Sequence, residues 1–94
     1  MKTRTRRNPF RKLREKRKRI DLIDEKILSL LNQRLRTALE IGKVKKEMGE
    51  KIYDPKREKE ILERLERRNN GPLKDEDLKK IFGTIIKACR QSQR

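Results

Sequence analysis

One run of helical spacing limits what this chain can fold into more than any other feature of it. Ile20, Ile23, Ile27, Leu30, Ile41, Val44 and Met48 keep a spacing of three and four, the period of a single helix face. Gly49 is the stop that follows them, and the start falls somewhere after Pro9. A helix of nearly forty residues at 1.5 Å each would extend roughly 50 to 60 Å, about twice the diameter expected of a compact domain this small. Such a helix has to pack against another chain. A second helix begins at Asp54-Pro55, where aspartate caps the first turn and proline fits its first position. It ends near the "NNGP" of residues 69 to 72, a C-cap and turn signal. A third starts at Asp75 and carries Leu78, Ile81, Phe82, Ile85, Ile86 and Cys89 on one side. No segment alternates with the period of two of a strand, so the fold class is all-α, a three-helix chain with a very long first helix.

Ninety-four residues with 48% charged side chains can bury only a thin core unaided. Thirty Lys and Arg against fifteen Asp and Glu give a net charge of +15, which suits nucleic acid, an anionic membrane, or small carboxylates and phosphates. The charge is uneven: residues 1 to 19 hold eleven basic side chains and one acid, Glu15. Residues 1–15 therefore read as a basic N-terminal arm, expected to be flexible, ahead of a helical domain at 16–94. A lone cysteine forms no internal disulfide, and without histidine the usual zinc sites and Ser-His or Cys-His catalysis are absent. No apolar run is long enough for a membrane span or a signal peptide, so a cytoplasmic setting is the default.

Turning each helix by 100° per residue reveals polar side chains on apolar faces. Arg34 occupies the middle of the first helix's stripe, with Ile20, Ile23, Ile27, Leu30, Ala38, Ile41 and Met48 within roughly 40° of it. Lys45 is about 20° away, three turns along. Glu58 is bracketed by Ile61, Leu62 and Leu65, and the stripe Leu78, Phe82, Ile85, Cys89 continues into Gln93. Taken singly, each has a structural explanation: an Arg34–Glu58 buried pair, a Lys45 that snorkels to water, a Gln93 at a frayed helix end. Taken together they leave two inward cations facing one clear anion, and Arg57 adds a third cation beside the same helix start. An uncompensated buried charge costs several kcal/mol, so an anionic ligand would balance the sum. Arg17 lies near 100° from Arg34 on the wheel, in line with Leu28, Leu35 and Leu39. It is about 25 Å from Arg34 along the axis, and only an antiparallel partner could bring a second Arg17 to the same ligand.

The segments "IDLIDEKILSLLNQR", "IGKVK", "IYDPKREKEIL" and "IFGTIIKACRQSQ" closely resemble the all-α class of chorismate mutases, over about residues 16 to 93. "DPxRE" alone is a weak signal; nine residues after the lysine of "GxxK" and twenty after the arginine of "LLNQR" it is a specific one. The resemblance implies an intertwined homodimer whose long first helices pair, with two active sites built from both subunits. It implies the Claisen rearrangement of chorismate to prephenate, in aromatic amino acid biosynthesis, with no metal or other cofactor. By position in the motifs, Arg34 and Arg17 of the partner subunit should hold the two carboxylates, with Arg57 adding charge. Lys45 and Gln93 should face the ether oxygen, and Glu58 and Asp54 the ring hydroxyl. Cys89 stands where many members have serine and, as a thiol, donates poorly.

Lys16 replaces the leucine usual before the first arginine, and a competing "LR" sits at Leu13-Arg14; Arg17 keeps the better spacing to Ile20, Asp24 and Arg34. The last turn is expected to fray around Gln93. Two rivals remain. Isochorismate-pyruvate lyases share the fold and a similar cationic pocket, while a basic helical nucleic-acid-binding protein would use the arm. Against the second, Phe10, Tyr53 and Phe82 are the only aromatics, too few for a stacking platform, and the arm's binding would be non-specific and salt-sensitive.

Overall fold

A computed structural model describes residues 8–93. They form three helices, α1 (Pro9–Met48), α2 (Pro55–Arg68) and α3 (Asp75–Ser92), with no strand among the described residues. Residues 1–7 of the sequence-predicted arm lie outside the described residues, and residues 9–15 are the first turns of α1. The start of α1 has the same chemistry as the start of α2. Asn8 Oδ1 accepts from the Phe10 N–H at 3.0 Å, and Pro9 fills the first helical position, where its missing donor costs nothing.

By contacts the chain forms two compact units, one through Asn32 and one from Gln33. In the first, every residue from 8 to 30 is exposed. Its apolar stripe is laid bare with its charges: Ile20 is 56% and Leu30 61% exposed. No helix among the described residues is long and apolar enough to cross a membrane.

In the second unit α2 packs on α3, and Lys79 of α3 reaches Glu66 of α2 at 3.8 Å. The acids Asp75, Glu76 and Asp77 occupy the first turn of α3, where the helix dipole favours negative charge. Between the two helices, Asn69 ties the turn: its Nδ2 donates to the Leu73 carbonyl at 2.7 Å and its Oδ1 accepts from the Gly71 N–H at 3.3 Å. The buried core is thin, as the charge-rich composition requires. Ala38 of α1 and Leu78, Ile86 and Cys89 of α3 make up its apolar part.

Candidate active site

The turn that closes α1 sets the first cation of the site. Gly49 has φ +70°, the left-handed conformation that carries no Cβ penalty for glycine. The Glu50 N–H donates to the Lys45 carbonyl at 2.8 Å and the Gly49 N–H to the Lys46 carbonyl at 3.2 Å, so the chain doubles back over the last turn. That reversal brings the Ile52 carbonyl to 3.1 Å from Lys45 Nζ. An ammonium has three donors; this bond fixes the side chain and leaves two for a ligand.

The start of α2 supplies the next three groups. Asp54 Oδ1 accepts from the Arg57 N–H at 3.0 Å, and the Asp54 carbonyl accepts the Glu58 N–H at 3.0 Å. One carboxylate oxygen of Asp54 is thus used to hold the helix, and the cap presents Arg57 and Glu58 side by side in the first turn. A cation there opposes the helix dipole, so Arg57 gains nothing locally from its position.

Glu58 finds a counter-charge that the sequence reading did not name. Arg90 Nε of α3 lies 3.0 Å from Glu58 Oε2, each side chain 24% exposed, and its guanidinium carbon stands 4.6 Å over the Tyr53 ring centroid. The Nε–H is buried and not aligned on a hydrogen-bond acceptor, so the contact is an ion pair more than a hydrogen bond. The Arg34–Glu58 pair weighed from the sequence does not form. Arg34 is half-buried and pairs with no side-chain carboxylate among the described residues.

Gln93 caps the C-terminus of α3 and joins it to α1. Its Nε2 donates to the Ala38 carbonyl at 2.7 Å. A carbonyl oxygen only accepts, so the nitrogen has to face it and the amide's orientation is fixed. The expected fraying around this residue is corrected by that bond, which anchors the last turn of α3 on another helix.

These groups meet in one cleft of about 350 Å³ within the second unit, at the small end of the ~300–1,000 Å³ typical of ligand pockets. Of the eight sequence-predicted binding residues, seven line it: Arg34, Lys45, Asp54, Arg57, Glu58, Cys89 and Gln93. The eighth, Arg17, is exposed on the first unit and is not among the lining residues. Arg64 and Arg90 also line the cleft and were missed. Arg64 had a signal, since seven residues from Arg57 returns to nearly the same helix face. Arg90 had none in the periodicity, because its place depends on where the loop sets Tyr53. The lining holds five cationic side chains against two anionic ones, among apolar neighbours such as Ile61, Phe82 and Ile86. Such a wall can hold a small molecule bearing more than one carboxylate, and its acids and amide can orient uncharged polar groups.

The family described as chorismate mutase type II matches residues 16–94. The chain is 44% identical over 81 residues to a bifunctional chorismate mutase/prephenate dehydratase of Aquifex aeolicus (strain VF5), covering 82% of this chain and 22% of that protein. It therefore spans about a fifth of the length of the bifunctional curated relatives it matches. Among solved structures, chorismate mutase (form II) of Thermus thermophilus superposes with a TM-score of 0.85 at 40% identity, over 87% of this chain and 93% of that one. Chorismate mutase of Helicobacter pylori in complex with prephenate gives 0.80 at 40% identity, over 86% and 88%.

Proposed function

The chain belongs to the type II chorismate mutase family, and from that premise we propose that it converts chorismate to prephenate by restraining the substrate and stabilising charge on its ether oxygen. The ether bond to the ring breaks as the enolpyruvyl methylene carbon bonds to the ring carbon that bears the carboxylate. The electrons move within one cyclic array, and no proton, metal or redox partner enters. What the reaction needs is a flexible dianion held in the one conformation that brings its reacting carbons close, which freezes internal rotations before the bond forms. Fixed donors at the breaking carbon–oxygen bond add to this, each typically worth ~2.7–4 kcal/mol.

Arg34, half-buried and without a carboxylate partner among the described residues, carries this reading. It takes one carboxylate, Arg57 adds positive charge, and Arg17 of the partner subunit takes the other carboxylate. Lys45 and Gln93 donate to the ether oxygen. Glu58 and the free oxygen of Asp54 accept from the ring hydroxyl, and Cys89 packs against the substrate. A homodimer is supported by the bare stripe of Ile20, Ile23, Ile27 and Leu30 on α1, which the two copies cover by pairing their first helices. The enzyme works in the cytoplasm, where its single thiol stays reduced.

Incubating the protein separately with chorismate and with isochorismate tests the assignment. Prephenate from the first and no pyruvate from the second is expected. Pyruvate released from isochorismate, with chorismate left intact, would transfer the chain to the lyase reaction. Retention of nucleic acid at physiological salt with neither turnover would move it to the binding class.

A further inference from the structure

Gly42 is a glycine in the interior of a long helix, and its backbone does not require it to be one. Gly49 is the described glycine with a positive φ; Gly42 has helical geometry inside α1, where alanine would favour the helix. The reason lies outside its own helix. Gly42 is buried, and a Cβ placed on it would stand 3.1 Å from both Cβ and Cγ of Gln93 and 3.5 Å from its Cα. One turn earlier on the same face, the Ala38 carbonyl accepts the Gln93 amide at 2.7 Å. Gln93 is therefore attached at two points, its stem seated on the bare backbone of Gly42 and its amide tied to Ala38, and it lines the cleft from that seat.

We propose that Gly42 is a positioning residue for catalysis, a socket whose missing Cβ sets where the Gln93 amide reaches the reacting ether oxygen. This rests on the reading of the cleft as a mutase site. An added methyl group forces one neighbour to yield. Gly42 is locked in mid-helix, while Gln93 ends α3, so Gln93 is the residue that moves. Displacements well under the length of a bond are costly to a group whose role is to meet a developing charge.

A double-mutant cycle with Gly42→Ala and Gln93→Ala tests the proposal. Gly42→Ala should lower kcat about tenfold with a smaller change in KM, while the protein stays folded by circular dichroism, because alanine's better helix propensity offsets part of the cost of the tight contact with Gln93. In the Gln93→Ala background the same substitution should change kcat less than about twofold, since the group through which it acts is gone. A general packing role would lower kcat equally in both backgrounds, and that result overturns the proposal, as does a wild-type kcat for Gly42→Ala. The Gln93 side-chain amide resonance in NMR supplies an arm independent of turnover. It should shift in Gly42→Ala, and an unmoved resonance overturns the socket. Should the wild-type protein leave chorismate unchanged, the functional reading fails on that count alone, and the resonance still decides whether Gly42 positions Gln93.

Discussion

Arg90 Nε sits 3.0 Å from Glu58 Oε2 while its guanidinium covers the Tyr53 ring at 4.6 Å, so an acid on α2 is held in place by a cation on α3 that is itself braced by the loop between α1 and α2. Removing Arg90 should leave Glu58 free to rotate away from the ring hydroxyl and without its counter-charge. Arg90→Ala is expected to lower kcat/KM by about tenfold, the cost of one charge-assisted contact. Arg90→Lys should recover only part of it, because an ammonium lacks the planar face that stacks on tyrosine. Steady-state kinetics on the two variants check this.

Lys45 offers a larger effect. Its Nζ is already fixed by the Ile52 carbonyl, so the donor needs no reorganisation when charge develops on the ether oxygen. Lys45→Ala should reduce kcat by roughly 10²–10³-fold, the usual loss for one such donor. Circular dichroism should show an unchanged helix content, which separates the kinetic loss from unfolding.

Asp54 serves the fold and the site with different oxygens. Asp54→Ala deletes the cap on α2 and should cost about 1 kcal/mol of stability, whereas Asp54→Asn keeps a capping oxygen and should cost much less. For a domain of this size the alanine variant should melt roughly 4–8 °C lower. Differential scanning calorimetry at fixed protein concentration distinguishes the two.

Sharing of sites between subunits gives a complementation test. Arg17→Ala and Arg34→Ala should each be nearly inactive alone. When the two are unfolded together and refolded, mixed dimers contain one site with both arginines intact, so about a quarter of wild-type activity should return. Full activity of Arg17→Ala alone would mean that Arg17 takes no part, and no recovery on mixing would mean that it acts within its own chain. Ile23→Asp, which places a charge on the bare stripe of α1, should shift the sedimentation coefficient to that of a monomer.

The fold was legible wherever the chain carries its own punctuation. Gly49, Asp54-Pro55, the "NNGP" turn and Asp75 mark helix ends through local backbone chemistry, and the helices of the structure end at them. Asn8-Pro9 carries the same signal as Asp54-Pro55, yet it is easily overlooked inside a run of basic residues. Inward polar residues were legible because 100° per residue places Arg34, Lys45, Glu58 and Gln93 on apolar faces, and all four line one cleft. Periodicity gives direction and not reach, so it could not choose Arg90 over Arg34 as the neighbour of Glu58. That choice depends on how α2 meets α3 and on where Tyr53 falls in an aperiodic loop. Gly42 was visible as a letter of a motif and silent about its purpose, because the atoms that require it belong to a residue fifty-one positions later.

The central claim is that surplus positive charge in the cleft, led by an arginine that no described carboxylate pairs, binds and restrains a dicarboxylate. The most direct measurement is the loss of chorismate absorbance with wild-type protein and with Arg34→Ala at equal concentrations. The account predicts catalysed loss with the wild type and a fall of about 10²–10³-fold in kcat/KM for the variant, the worth of two charge-assisted hydrogen bonds. Equal rates for the two proteins, or no loss of absorbance with the wild type, would contradict it.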